Sequence, residues 1–472
     1  MTRNFFLRSP FMLLPFMAPL VASAQQTASQ NAAVRLVTLD PGHFHAALVQ
    51  KSMYPQVSPM VQVYAPETPD VKLHLGRIQS YNKRADKPTS WDEKVYTGPD
   101  YLEKMLADKR SGATLGNVVV IAGNNQKKTE YIQKAIDAGF NVLADKPMVI
   151  DASNFDQLRN TFATAAQKKV LLYDIMTERS EITTLLQREL SMIPAVFGTL
   201  EKGTPDNPAV TKESVHHFYK YVSGSVLQRP GWFMDVTQQG EGIVDVTTHL
   251  VDLVQWECFP EQVINYKKDI RLNAARRWTT DMTRSQFKTI TNLPDFPDYL
   301  KRDVVNDSLL KVYSNGEINY QLRGVNAKVS VTWAYKAPEG GGDTHYSTMR
   351  GTKANLVIRQ GADQNYKPAL YIEPIATSAT YESSLTAAIT TLQQRYPGIS
   401  VRKNDKGREV VIPEKYNVGH EAHFGQVTEN FLKYLQAGKL PAWEVPNMIA
   451  KYYTTTQALL MAKERKREKA KD

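Results

Sequence analysis

From residue 34 onward, short apolar runs alternate with segments whose apolar positions recur every three or four residues. The runs "VRLVTL" (34–39), "MVQVYA" (60–65), "KVYT" (94–97), "NVVVIAG" (117–123), "NVLADKP" (141–147) and "KVLLYDI" (169–175) read as strands. Between them "PDYLEKMLADK" and "KTEYIQKAIDAGF" have the helical period, the second ending on Gly139 as a C-terminal cap. Apolar strands separated by amphipathic helices predict an α/β chain whose first half is a doubly wound parallel sheet, with ligands at the carboxyl ends of its strands. After about residue 180 the period shortens to two in "INYQLRG" and "AKVSVTWAYK", broken by turns such as "APEGGGDTH". That pattern predicts an α+β domain with an open, mostly antiparallel sheet. "HEAHFGQVTENFLKYLQAG" and "EVPNMIAKYYTTTQALLMAKE" return to the helical period. The expected organisation is a first domain over 33–178, a second over 179–460 that includes these helices, and a charged tail over 461–472.

The amino terminus changes the picture of location. Arg3 and Arg8 precede the apolar stretch "FMLLPFMAPLV" (11–21), and Ala22, Ser23 and Ala24 form an A-x-A site. This is the layout of a cleaved signal peptide, 1–24, and predicts export, most simply to a bacterial periplasm. Cleavage leaves 448 of 472 residues and lowers the formal charge from +10 to +8, because the segment holds two arginines and no acid. The basic tail "KERKREKAKD" reads as a solvated helix end, so neither nucleic acid nor membrane insertion is expected. The single cysteine, Cys258, follows an apolar run and reads as core.

"VRLVTLDPGHFHAALVQ" has the strand-to-helix form that opens a dinucleotide-binding unit, but the three glycines of G-x-G-x-x-G are replaced by Asp40, Gly42 and His45. Gly42 is the position at which the backbone approaches a pyrophosphate. Main-chain N–H groups from His43 through Phe44 are expected to hold the anion, with His43 or His45 adding a donor.

Two further motifs carry chemistry. "AGFNVLADKP" delivers Asp145, Lys146 and Pro147 to the edge of the first sheet. "QQGEGIVDVTTHLVDLVQW" (238–256) reads as a helix opened by a Gly-x-Gly turn, and spacings of four and three put Asp245, His249 and Asp252 on one face. A polar stripe on an otherwise apolar helix is costly unless it is used or paired.

In this order, "ADKP", "RPGWF" (229–233) and "GEGIVDVTTHLVD" resemble the Gfo/Idh/MocA family of glucose-fructose oxidoreductases and inositol dehydrogenases, and look most similar to its secreted Bacteroidetes branch. The resemblance runs from residue 33 to about 460. It implies a Rossmann-type first domain holding NAD, with NADP less favoured, tightly carried because the periplasm supplies none. It also implies that Lys146 bonds a substrate hydroxyl beside the nicotinamide ribose, His249 is the general acid/base and Asp245 orients the substrate. Asp252 is a candidate to fix the His249 tautomer.

Departures from the family pattern shift other assignments. Ala65 stands where a ribose-binding acid is usual, which makes Glu67 the substitute, and Asn124 and Asn125 replace a Pro-Asn pair, where they would face the cofactor beside Asp145. In "ESVHHFYKYVSG", His217 and Lys220 are candidate substrate contacts, as is Arg179 at the crossover. His420 and His423 lie three apart on a helix without a third ligand in sequence, and read as structural with no metal expected. The implied reaction is oxidation of a secondary alcohol of a sugar, glycoside or polyol, such as C3 oxidation to a keto sugar. Two alternatives share these residues: an NAD-dependent glycosidase or lyase using transient oxidation, and a cofactor-free carbohydrate-binding protein. By analogy, the exposed sheet face would form a homodimer or homotetramer.

Overall fold

The computed structural model describes residues 33–469 apart from 115, 223 and 224; the expected signal segment 1–24 and the end of the charged tail lie outside the described residues. Six strands build the first sheet: β1 (Leu36–Leu39), β2 (Met60–Ala65), β3 (Asp92–Thr97), β4 (Val118–Ile121), β5 (Asn141–Asp145) and β6 (Leu172–Ile175). All pairs are parallel and the order is β3-β2-β1-β4-β5-β6. The order reverses between β1 and β4, which opens a crevice above their carboxyl ends. Central β1 and β4 are buried along their whole length, hence their unbroken apolar sequence, whereas the edge strand β3 carries Asp92, Glu93 and Lys94. Gly139, at φ +80°, follows the Lys128–Asp137 helix in the left-handed conformation expected of a cap.

The second domain is a ten-stranded sheet. Its strands are β7 (Val210–Tyr219), β10 (Ile270–Thr283), β11 (Val304–Val305), β12 (Leu309–Leu322), β13 (Val325–Lys336), β14 (Thr344–Arg350), β15 (Ala354–Gln360), β16 (Ala369–Pro374), β17 (Ser400–Asn404) and β18 (Gly407–Val411); a separate hairpin pairs β8 (Tyr221–Val222) with β9 (Ser225–Val226). The order is β10-β12-β13-β7-β14-β15-β16-β18-β17, with β11 beside β12, and the parallel pair β13–β7 interrupts an otherwise antiparallel sheet. One face packs on the Ile182–Ser191 and Thr247–Cys258 helices through Leu186, Leu190, Val251 and Val254. Side chains of β12 and β13 therefore alternate between buried and half-buried. The opposite face carries cross-strand ion pairs, Arg276 with Glu317 at 2.9 Å and Lys328 with Glu213 at 2.8 Å.

The last two helices differ from their expected place. Phe424, Val427, Phe431 and Leu432 of the His420–Ala437 helix join the core of the first domain, as do Met448 and Tyr452 of the Glu444–Lys469 helix. Ala458 and Leu459, farther along, join the second. The chain thus returns to clamp both domains around the crevice. Among the described residues no helix is long and apolar enough to cross a membrane.

Candidate active site

Lys146 leaves the end of β5 and donates from Nζ to Asp245 Oδ1 at 2.6 Å, with about nine-tenths of each side chain buried. Asp245 is not on the helix as expected but just before it, in a turn over 242–246 that leads into Thr247–Cys258. The turn needs Gly242, because a Cβ there would stand 1.8 Å from the Ser314 carbonyl oxygen. Gln239 Nε2 donates to the other carboxylate oxygen at 3.0 Å, so both Asp245 oxygens are held. Burial alone would lower the Lys146 pKa, but the carboxylates of Asp245 and Asp145 outweigh it and hold the ammonium above the ordinary lysine value.

His249 follows on the same face and is buried, and among the described residues its Nδ1 has no hydrogen-bond partner. Burial first, then the charges of Lys146 and His420, push its pKa well below the ordinary histidine value. Asp252, expected to fix the His249 tautomer, does something else. It accepts from Arg179 Nε at 2.6 Å and Nη2 at 2.7 Å, and from Lys451 Nζ at 2.9 Å. Arg179 also reaches Glu444 at 2.9 Å and Lys451 reaches Asp174 at 2.6 Å. Burial would raise the Asp252 pKa, but these two cations hold the carboxylate well below its usual range. Arg179, expected on the substrate side, therefore sits in a buried ionic cluster that joins β6, the Thr247–Cys258 helix and the last helix.

Lys146, Asp245 and His249 open onto a cavity of about 690 Å³, within the range of small-molecule sites. All of the chain's nine histidines except His74 and His217 line it. Of the candidates in and just after β7, Lys220 lines the wall and His216 takes the place expected of His217. The three converge on Asp343: His217 Nδ1 lies 2.9 Å from Oδ1, His216 Nδ1 3.2 Å from Oδ2, and Lys220 Nζ donates to Oδ2. Trp333 lies beside them, with the Arg229 guanidinium 5.3 Å from its ring. Asp343 ends the "APEGGGD" turn, where an acid reads as turn chemistry; Trp333 reads as one more apolar position in an alternating strand. His420 and His423 face the same cavity from the final helix pair, with the His420 ring centroid 6.1 Å from that of His45.

The fingerprint loop keeps its shape by other means. Asp40 adopts φ +47°, the left-handed conformation a glycine would take, and its carboxylate accepts from Tyr131. Of the main-chain donors expected to hold the anion, that of His43 is already used, donating to Ala122 O at 3.1 Å, and the neighbouring Gly42 N–H donates to Asp40 O at 2.9 Å. A Cβ on Gly42 would lie 3.2 Å from Trp232 Cζ2, and Trp232 Nε1 donates to Asp70 at 2.8 Å. Asn124 Nδ2 donates to Gln238 Oε1 and Asn125 Nδ2 to Gln239 O, both at 2.6 Å. Segment 232–239 of the second domain thus rests on the strand ends expected to meet the cofactor, while Glu67 is exposed beyond β2. The residues fit the nicotinamide half of a dinucleotide, because His43, Phe44, His45 and Lys146 line the wide cavity. They do not fit a pyrophosphate seated on the fingerprint amides. His45, in place of the third glycine, turns toward β5, with Nδ1 2.9 Å from Asp145 Oδ2.

Residues 186–463 match the family model described as "Putative oxidoreductase C terminal domain", and residues 70–174 match "Oxidoreductase family, NAD-binding Rossmann fold". The chain belongs to the Gfo/Idh/MocA oxidoreductase family. The NAD-binding match begins after the altered fingerprint. A crystal structure of a "putative oxidoreductase" from Parabacteroides merdae is 61% identical, covers 92% of this chain and 98% of its own, and superposes with a TM-score of 0.89. More distant solved structures share the fold: GenD2 from gentamicin A biosynthesis, in complex with NAD, at 15% identity, 96% and 98% coverage and TM-score 0.52. The 3-ketoreductase KijD10 from Actinomadura kijaniata, in complex with NADP and TDP-benzene, shows 13% identity, 91% and 97% coverage and TM-score 0.52. No curated protein matches the chain.

Proposed function

We propose that this protein is an exported oxidoreductase that oxidises a secondary alcohol of a sugar, glycoside or polyol with NAD in preference to NADP. The observation that carries the reading is the buried Lys146–Asp245 pair beside His249 on one cavity wall. NAD held along His43, Phe44, His45 and Lys146 would supply the hydride acceptor for the alcohol carbon. The ammonium of Lys146 donates to the substrate oxygen and stabilises negative charge there, while Asp245, fixed by Gln239, holds that ammonium in place. His249 is neutral at neutral pH and takes the hydroxyl proton. Lys220, His216 and Asp343 offer donors and an acceptor to other hydroxyls, and Trp333 offers a flat apolar face to a pyranose ring. An indole face flanked by many charged and polar groups suits a carbohydrate better than a long-chain alcohol.

Acid denaturation of protein purified without added cofactor tests the reading. NAD(H) is expected at a substantial fraction of one per chain, together with a keto sugar when glycosides are added. A protein that releases none, and binds no NAD at about millimolar concentration in calorimetry, is a cofactor-free carbohydrate binder. Free aglycone without accumulated keto sugar would instead identify a glycosidase that oxidises transiently.

A further inference from the structure

The loop that replaces the glycine fingerprint brings two imidazoles against a carboxylate. His43 comes from the turn after β1, His45 from the first position of the His45–Val49 helix, and Asp145 from the last position of β5. Their ligand atoms all lie within 4.8 Å of one another. His45 Nδ1 stands 2.9 Å and His43 Nδ1 4.0 Å from Asp145 Oδ2, with side-chain exposures of 11%, 16% and 7%. Two atoms bound to one cation at about 2.0–2.1 Å in tetrahedral array are separated by roughly 3.3 Å, and the observed separations bracket that value. Closing the difference requires the His43 ring to give up the 3.4 Å contact in which its Nδ1 accepts from the His45 main-chain N–H.

We propose that His43 Nδ1, His45 Nδ1 and Asp145 Oδ2 form a site for a divalent transition-metal ion, with its remaining coordination positions open to the cavity for an oxygen of the ligand.

Three observations support it. The chemistry of the donor set is right: two nitrogens and one carboxylate oxygen match zinc, cobalt, manganese or ferrous iron better than magnesium or calcium. The neighbouring cations are turned elsewhere, because Lys146 pairs with Asp245 at 2.6 Å and Lys128 Nζ donates to the main-chain oxygen of Asp145 at 3.0 Å. Asp145 is therefore held from behind while its carboxylate faces the histidines, the arrangement by which outer partners orient a ligand. Finally, His43 and His45 are on the cavity wall, so an ion there would be reached from the cavity by an oxygen of a bound ligand, at the wall where a nicotinamide would otherwise lie. An ion so placed is a Lewis acid for that oxygen and needs no redox change of its own. The inference does not rest on the proposed alcohol oxidation, since its test reads metal and not turnover.

The mature protein, stripped with chelator and dialysed, is titrated with Zn²⁺ by calorimetry and with Co²⁺ by visible absorption. One equivalent per chain is expected, with Co²⁺ bands of a nitrogen and oxygen ligand set and two imidazoles shifted in the paramagnetic NMR spectrum. His45→Gln and Asp145→Asn should each weaken Zn²⁺ binding by about a hundredfold or more, while His423→Gln, which alters a cavity histidine outside the triad, should leave it intact. Absence of a stoichiometric equivalent in the wild type, or an equivalent that survives His45→Gln, overturns the proposal and leaves His45–Asp145 as a hydrogen bond. If the variants do not fold, the wild-type Co²⁺ spectrum decides alone: an all-oxygen spectrum without shifted imidazoles overturns the site.

Discussion

Lys146 Nζ and Asp245 Oδ1 meet at 2.6 Å although ninety-nine residues separate them, and their pairing ties the carboxyl edge of the parallel sheet to the turn before the Thr247–Cys258 helix. The pair is both a domain contact and the floor of the cavity. Its two roles separate experimentally. Lys146→Met leaves a buried carboxylate without its cation and should cost about 3–5 kcal/mol of stability. Adding Asp245→Asn should return most of that stability, while turnover on a glycoside stays down by about a hundredfold or more. Urea midpoints and turnover measured on the same three proteins check this; recovery of both together would make the pair structural alone.

The proton acceptor has its own signature. Burial and the charges of Lys146 and His420 depress the His249 pKa, so its imidazole should remain neutral at a pH where free histidine is half protonated. Lys146→Met removes one of the depressing charges and should move the NMR titration midpoint of His249 upward. A midpoint that does not move would show that Lys146 exerts no field at the ring.

Stability should respond to pH through Glu93 in a direction set by burial. Its pKa is raised from 4.5 to about 7, chiefly by desolvation, and the Gln50 amide at 2.6 Å opposes the shift. The folded chain binds this proton more tightly than the unfolded chain, so Glu93 lowers stability as pH rises from the unfolded to the folded pKa, and the loss is complete above about 7. Glu93→Gln should therefore stabilise the protein by about 1–3 kcal/mol at mildly alkaline pH, a gain that vanishes below the ordinary carboxylate range. Denaturant midpoints at both ends of that window measure it.

Asp252 belongs to the framework. Replacing it by Ala strands Arg179 and Lys451 as buried cations and should cost about 3–5 kcal/mol, with cleavage by protease appearing near the final helices. Turnover per folded molecule should change little, because the carboxylate does not touch the cavity wall. Loss of turnover in fully folded protein would return Asp252 to the catalytic group.

Substrate selection should reside in the second domain. Asp343→Asn, or Lys220→Met, disturbs the cluster that His216 shares and should raise KM for the carbohydrate by about tenfold, the scale of one lost charged hydrogen bond, without changing nicotinamide affinity. Titration with NAD alone supplies the comparison, and an equal loss of both would place the cluster on the cofactor side.

Much of this architecture follows from local pattern. Strands buried on both faces must be apolar throughout, those buried on one face must alternate, and helices between them show a period near 3.6, so both sheets and the final helices are legible in the chain. Lys146, Asp245 and His249 are legible for a related reason: polar groups at a strand end and along an apolar helix stripe break the pattern that surrounds them. What local pattern does not carry is which partner a polar group finds. Asp252 has the spacing to serve His249, yet two buried cations from distant segments offer a far larger electrostatic gain and take it. Main-chain N–H groups at the altered fingerprint look free in sequence, but carbonyls of Asp40 and Ala122 reach them once β1 and β4 are side by side. The convergence of His43 and His45 on Asp145, a hundred residues away, exists only because β5 lies next but one to β1. Pairing energies fall off steeply with distance, and it is the packing of the sheets, not the spacing along the chain, that sets those distances.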